Sequence, residues 1–546
     1  MEIEIEKDES TLNNLLPDEV IQYIFSFLSN TQLKQIAFVC QKWSQLALDP
    51  FLWKNIYISF PNEKKISKFN SNYLNSIYLS NCLDKENSKS LLLLSKCNNL
   101  RNIRLEKAEN KWIQSLQELL SNSKIRNLTL FDCELNGLTN DNFWISCSHL
   151  KNLKIQQTSK IHRVNQLYRF DLLSKIRNIT IERIELNNQE IDQFCQKDNL
   201  RNLRSISFLS SLINVDINPI FLNIPNLLSL NLSNCRSNSN IDFGLFSNLT
   251  YLNLSNFSTG TGQKLDIESI KKLKNLVHLD ISLSNLRLDL FSIHYMNQLR
   301  TLLAIGNQSW NLHNQNNSNS SLVFPPHISR VDFSHSQKFF KFNPTLSNSI
   351  QSISLINCEM NQFNIDNICP FLSYLYISNN NLTQLPLDLG EKCPNLLELE
   401  CNKNKISVIP DSIGNMKRLR KLSLQQCSIS EITNSIGNCC SLIELNLRAN
   451  SIKIIPISLG DITSLSIFDL AYNQISKLEN KIFMKLTNLN KFLIEGNKKL
   501  KSIPKILLKK YKKKELILSF YDVPNLQYLA NIDFENENEN GKCLIF

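Results

Sequence analysis

A chain of 546 residues, 42% of them hydrophobic and with a formal net charge of +11, is a folded protein too long for one ordinary core unless that core repeats or is divided among domains. No run approaches the roughly 18 apolar residues of a membrane span, and the opening "MEIEIEKDES" lacks the basic-then-apolar order of a secretory leader. A cytoplasmic or nuclear address is expected, so the fifteen cysteines are expected as thiols; they show no metal-binding spacing, and no metal or cofactor is expected.

Residues 1–14 are acidic and expected to be disordered, and residues 15–60 read as helical. Pro17 suits a first helical turn, with Asp18 and Glu19 near its positive end. Val20, Ile21, Ile24, Phe25 and Leu28 then form one apolar face. The stretch "QLKQIAFVCQKWSQLAL" reads as a second helix presenting Leu33, Ile36, Val39, Cys40, Trp43 and Leu46, and "DPFLWKNIYI" starts a third at Pro50. Three short helices cannot enclose a stable core unaided. Phe25, Phe27, Phe38, Trp43, Phe51 and Trp53 therefore leave apolar surface to meet either the first repeats or another protein.

The string "LPDEVIQYIFSFLS…LKQIAFVCQKWSQLALDPFLWK" resembles an F-box. It has the Leu-Pro-x-Glu-aliphatic opening, the Val-Cys-x-x-Trp and the Asp-Pro-x-Leu-Trp-Lys close. The resemblance implies a module that binds the Skp adaptor of Skp–cullin–F-box (SCF) ubiquitin ligases, while the following repeats recruit a protein substrate. By that resemblance Leu16, Pro17, Val20, Ile24, Leu28, Cys40 and Trp43 are the adaptor-docking positions. Holding the helices together is the alternative role for several of them, Trp43 above all, and the alternative for the whole module is a helical cap on the first repeat.

From residue 61 to 520 the pattern L-x-x-L-x-L-x-x-N-x-L recurs. Less regular starts fall at Leu74, Leu100, Ile125, Leu150, Ile176, Leu203, Leu227, Leu249, Leu276, Leu299, Ile328 and Ile350. Regular ones follow at Leu372, Leu396, Leu419, Leu442, Leu465 and Leu489, giving eighteen repeats spaced 22 to 29 residues. This is the leucine-rich repeat, which implies an α/β horseshoe solenoid. Each x-L-x-L-x is a short strand with leucines inward and the x residues on the concave face. The Asn position marks the turn out of the strand, where an amide can satisfy neighbouring backbone; Asn380, Asn404, Asn450, Asn473 and Asn497 hold it, and Cys82, Cys133, Cys235, Cys358 and Cys427 replace it elsewhere. Cys97, Cys147, Cys369, Cys393 and Cys439 share a second fixed phase, so all ten are read as core.

Earlier repeats leave room for a convex helix, as in "NKWIQSLQELLSNS", whereas later ones carry Ile-Pro or Leu-Pro. "ELILSF" reads as a closing strand, and the insert "NQSWNLHNQNNSNSSL" as disordered. Counting inward and outward positions places Tyr374, Tyr376, Glu398, Glu400, Lys421, Glu444, Arg448, Asp469 and Tyr472 on the concave face as the substrate site. Aromatic residues among mixed charges suit a protein partner. The net positive charge is spread along the chain except at "KKYKKK", and a solvated surface explains it better than nucleic acid.

No nucleophile elbow, zincin motif or phosphate loop occurs, so the protein reads as an adaptor and not as an enzyme. The polar tail, 521–546, ends in "CLIF", which fits a C-a-a-X signal with Cys543 as the prenylated residue. Some F-box proteins with leucine-rich repeats end in such a signal, so the resemblance adds to that expectation. The lipid would bring a cytoplasmic protein to a membrane, with Lys509 to Lys514 as a second, electrostatic contact; a solvated face capping the solenoid is the alternative reading of these lysines. The competing function is a non-ligase scaffold whose late repeats bind a signalling protein such as a small GTPase.

Overall fold

The computed structural model describes residues 17–523 apart from 29, 50–51, 68–73, 122, 135–137, 139–140, 159–168, 170–171, 184, 187–197, 214–215, 223, 225, 239–240, 260–268, 271, 285–292, 294, 308–321 and 337–343. The polar insert and the tail fall almost wholly outside these residues. Two compact units divide the chain: residues 1–248 with 259–262, and residues 249–258 with 263–546.

The first unit begins with helices α1 (Asp18–Phe25), α2 (Asn30–Ile36) and α3 (Gln41–Ala47). Ile21, Phe25, Leu33, Leu46, Ala47 and Leu52 form their buried core, against which Leu28, Ile36, Ala37, Trp43 and Trp53 pack. A Lys42–Asp18 ion pair at 2.8 Å ties α3 to α1, and the Trp53 indole N–H donates to the Ala47 carbonyl at 2.9 Å.

Three sequence expectations change here. The second predicted helix breaks at residues 37–40, because Cys40 is extended (φ −158°, ψ 169°) and its Sγ accepts the Trp43 N–H as the N-cap of α3. Pro50 and Phe51, where the third helix is expected to start, lie outside the described residues, and by Asn55 the chain is a strand, β1 (Asn55–Ser59), in which buried Ile56 and Ile58 alternate with exposed or half-exposed neighbours at period two. Finally, the single apolar face of α1 is two faces: Ile21 and Phe25 are buried, while Val20 and Ile24 are exposed.

From β1 the strands Ser76–Ser80, Asn102–Glu106, Asn127–Phe131, Asn152–Gln156, Asn178–Glu182, Ser205–Leu209 and Ser229–Asn231 pair in parallel, each in unbroken register with the next. The second unit repeats the scheme from Tyr251–Asn253 to Lys491–Leu493 and closes with Ile517–Ser519, where the closing strand is expected. Each of the eighteen expected repeat starts lies two residues before a strand. The leucines behave as their spacing predicts: Leu399, Leu422, Leu445 and Phe468 are all 0% exposed and stack behind one another. Burying each such side chain contributes about 1.5–3 kcal/mol, which only a neighbouring repeat can supply.

The asparagines join one repeat to the next. Asn450 Oδ1 accepts the Ile429 N–H at 3.1 Å, and its Nδ2 donates to Leu424 and Leu447 carbonyls at 2.8 and 3.0 Å. The preceding residue, Ala449, has φ 55°, the left-handed turn that aims the amide inward. Where cysteine replaces asparagine, the thiol reproduces one of these bonds, as Cys358 Sγ does to the Phe333 carbonyl at 3.1 Å. Burial pushes the thiols of Cys82, Cys235 and Cys358 up to about 12, so they stay protonated in the core.

Between strands the first unit carries a helix at Asn110–Ser121, with Trp112, Ile113, Leu116, Leu119 and Leu120 buried. In later repeats it shortens to single 3-10 turns after Pro410 and Pro456. Gly390 is required there: a Cβ on it would stand 1.7 Å from the Ser412 carbonyl oxygen of the next turn.

Asn450→Ala should take this amide from the Ile429 N–H and the Leu424 carbonyl, at about 1–3 kcal/mol for each buried group left unpaired, while the Leu447 carbonyl keeps the Asn473 amide at 2.9 Å. A marked fall in the urea midpoint of the second unit is expected. Asn450→Cys should recover part of it.

Candidate docking sites

Two surfaces carry the residues singled out in the sequence. On the helical head, Val20, Tyr23, Ile24 and Phe27 stand at i, i+3, i+4 and i+7 along α1 and the turn after it, all exposed. Tyr23 is 66% and Phe27 72% exposed, and their rings meet edge-on at 5.0 Å. Phe38, Val39 and Leu48 add exposed apolar groups around α3, Phe38 at 89%. A large aromatic side chain left this open is unusual unless something covers it.

The seven positions expected to dock an adaptor separate by their place in the head. Pro17, Val20 and Ile24 are exposed, and Leu16 lies outside the described residues. Leu28 is half-buried against the head core, and Cys40 is the α3 cap. Trp43 packs edge-on against Phe25 at 5.4 Å and holds α3 to α1. Sequence reasoning named Phe27 and Phe38 among the apolar groups left to meet a partner, but it missed Tyr23 and set Val39 on the apolar face of the second helix; the i+3 spacing from Val20 was the available signal for Tyr23.

The second surface lies on the strands of the later repeats. Cross-strand register sets Tyr374, Glu398, Lys421 and Glu444 in one column, and Tyr376, Glu400, Ser423, Asn446 and Asp469 in the next. Diagonal contacts link the columns. Tyr376 OH donates to Glu398 Oε2 at 2.9 Å, and Lys421 Nζ pairs with Glu400 Oε1 at 2.6 Å. Burial and the Glu398 carboxylate push the Tyr376 phenol up, and the Glu400 hydrogen bond raises the Lys421 ammonium, so both keep their protons. Tyr374 remains exposed, its ring 6.4 Å from that of Tyr376.

Arg448 anchors the far end. Its guanidinium lies 4.6 Å from the centre of the Tyr472 ring and 2.7 Å from Glu495 Oε1, with Asp469 at 3.9 Å. Glu495 occupies the same repeat phase as Arg448, two repeats on, and Ala471 holds that phase between them. Ala471 is 0% exposed, small enough for the arginine to reach across it. Gly496 is needed beside this cluster, because a Cβ there would stand 2.6 Å from the Tyr472 ring. Asp469 belongs partly to the fold: its Oδ1 accepts the Ala471 N–H at 2.9 Å, and burial raises its carboxyl.

Near the end of the chain, the basic helix Lys505–Lys512 directs Lys510 Nζ to the Leu486 and Thr487 carbonyls at 3.1 and 3.0 Å. Cys543 lies outside the described residues. Among the described residues no helix is long and apolar enough to cross a membrane, and no group of three or more His, Cys, Asp or Glu could hold a metal ion.

Comparison with known proteins agrees with this geometry. Residues 14–59 match the F-box-like family, and residues 370–429 match the leucine rich repeat. Over 75 residues the chain is 39% identical to F-box/WD repeat-containing protein A of Dictyostelium discoideum, covering 14% of this chain and 6% of that protein's length. The Drosophila Toll–Spatzle structure superposes with a TM-score of 0.52 at 17% identity, over 82% of this chain and 61% of that one. A leucine-rich-repeat protein of Leptospira interrogans gives 0.48 at 18% identity, over 82% and 97%. At 17% identity the Toll likeness speaks for the fold alone. The chain is an F-box-like head followed by a leucine-rich-repeat, solenoid-like parallel sheet.

Arg448 and Glu495 are both largely shielded, so a double-mutant cycle of Arg448→Ala with Glu495→Ala should give a coupling of about 1 kcal/mol in urea unfolding. A coupling near zero would show that the pair does not order this end of the surface.

Proposed function

We propose that this protein is the substrate-recognition subunit of an SCF ubiquitin ligase: the head binds a Skp-type adaptor, and the second unit's strand face binds the protein to be ubiquitinated. The observation that carries the reading is the exposed row Val20, Tyr23, Ile24 and Phe27 on a head that matches the F-box-like family. A pure scaffold has no use for such a row. The chemistry of ubiquitin transfer belongs to the partners in this reading, in keeping with buried thiols held in the protonated form.

The ordered columns around Tyr376, Glu398, Glu400 and Lys421 support a substrate site whose polar groups are already oriented before the partner arrives. Affinity purification of three forms of the full chain tests both halves. Val20→Glu with Ile24→Glu should abolish adaptor recovery, since both side chains are exposed and the head core is untouched. Glu398→Lys with Glu400→Lys should lose the substrate and keep the adaptor. Adaptor recovery at the wild-type level from the first variant would refute the reading.

Cys543 is proposed as a prenylation site that tethers the receptor to a membrane, where a single lipid gives only marginal binding. The basic helix Lys505–Lys512 would supply the second contact, Lys510 contributing less because carbonyls hold it. Cys543→Ser should shift the protein from membrane to soluble fractions with adaptor binding intact. Mass spectrometry of an unmodified C-terminal peptide from cells would reject the tether.

A further inference from the structure

Five successive repeats of the first unit carry a cation at the position after the first leucine or isoleucine: Arg101, Arg126, Lys151, Arg177 and Arg204. The backbone fixes them in single file. Each N–H donates to the carbonyl of the cation before it, Arg126 to Arg101 at 2.8 Å, Lys151 to Arg126 at 2.7 Å, Arg177 to Lys151 at 2.8 Å and Arg204 to Arg177 at 2.7 Å. At about 4.8 Å per strand the file is roughly 19 Å long, and uncharged Asn75 and Leu228 bound it. All five are exposed or half-exposed, and among the described residues none forms an ion pair with a carboxylate. Lys124 and Lys175, both exposed, precede Arg126 and Arg177 by two positions and add to the same edge. The Lys151 ammonium is held below its usual range by Arg126 and Arg177, as expected of uncompensated positive potential.

The repeat does not require this. At the same backbone position the second unit places Thr250, Val277, Ser329, Gln351, Ser373 and other uncharged residues, with only Arg300 and Arg420 as cations. Like charges one strand apart repel, so the file opposes the stacking that builds the unit. Beside it runs a chain of side-chain amides, Asn178 donating to Asn152, Asn152 to Asn127 and Asn127 to Asn102.

We propose that this file is a docking surface for an extended acidic polypeptide segment, a run of Asp and Glu about six residues long at roughly 3.3 Å per residue. Charge complementarity selects the side chains, and the parallel amides are placed to meet a main chain. The residues on either side of the cations in sequence are Leu100 and Asn102, Ile125 and Asn127, Leu150 and Asn152, Ile176 and Asn178, and Leu203 and Ser205. No aromatic ring stands among them, and the rings of Tyr78 and Phe131 farther along these strands are taken by the Arg104 guanidinium at 4.5 and 5.1 Å, which disfavours a base-stacking platform for single-stranded nucleic acid. A file one residue wide also fits a single strand better than a plane of lipid headgroups. The surface is independent of whether the head binds an adaptor.

The test uses the full chain with three probes: a fluorescent oligoglutamate peptide, an oligouridylate of equal charge and phosphatidylserine vesicles. The peptide should bind, and its affinity should fall as ionic strength rises from about 0.05 to about 0.5 M. Arg126→Gln with Lys151→Gln and Arg177→Gln should weaken it roughly tenfold or more, with an unchanged or higher thermal midpoint. Lys509→Gln with Lys512→Gln and Lys513→Gln, which removes charge from the basic helix and the residue after it, should leave it bound. Should the triple file variant unfold, K151E alone gives the reading, by setting a carboxylate between two guanidinium groups. Wild-type affinity in the file variants, loss in the distal variant, salt-insensitive binding, or tighter binding of oligouridylate or vesicles than of peptide would each overturn the proposal.

Discussion

Parallel hydrogen bonding in unbroken register turns each position of the repeat into a column. Leu399 pairs with Leu422, Leu422 with Leu445 and Leu445 with Phe468, so a leucine that one repeat cannot bury is covered by the next. The asparagine amides enforce the same spacing from inside, since Asn450 bonds backbone of its own repeat and of the repeat before it. Neither device tolerates a slip of one residue, which would turn every leucine outward. The surface inherits this rigour: whatever occupies one phase of the sequence becomes a straight line of side chains in the fold.

The repeats were legible because leucine spacing reports directly on burial, and the strand-face columns because the period of a strand is two. The amide bridges followed from the chemistry of asparagine at a turn. What escaped the sequence were contacts made across repeats rather than within one. Glu495 reaches Arg448 over Ala471, 47 residues away in the chain, and nothing in either local pattern announces the pair. The basic file is hidden in the same manner, since its members lie 25 to 27 residues apart and read locally as scattered charge. Stacking the repeats by their first leucine would have disclosed both.

The head was misjudged for a different reason. Helical periodicity identifies apolar positions but not which of two faces the core takes when both are apolar. Ile21 and Phe25 took the core, and Val20, Tyr23, Ile24 and Phe27 were left outside. The break before α3 depends on Cys40 acting as a cap through sulfur, a role outside the usual Ser, Thr, Asp and Asn.

The surfaces differ in how they can pay for a partner. On the second unit's strand face, Tyr376, Glu398, Glu400, Lys421, Arg448 and Glu495 already satisfy one another, so a docking protein must match an existing arrangement or break bonds to improve on it. Such a face discriminates more than it attracts, because misplaced charges are penalised in full while correct ones gain little. The apolar row on α1 is the opposite case: it has no polar pattern to match, and its gain is the area removed from water. A receptor built this way would hold a constant partner through the row and choose among variable ones through the columns. The division follows from the side chains, since an apolar helix face cannot tell similar partners apart and a satisfied polar sheet face cannot bind tightly without fitting.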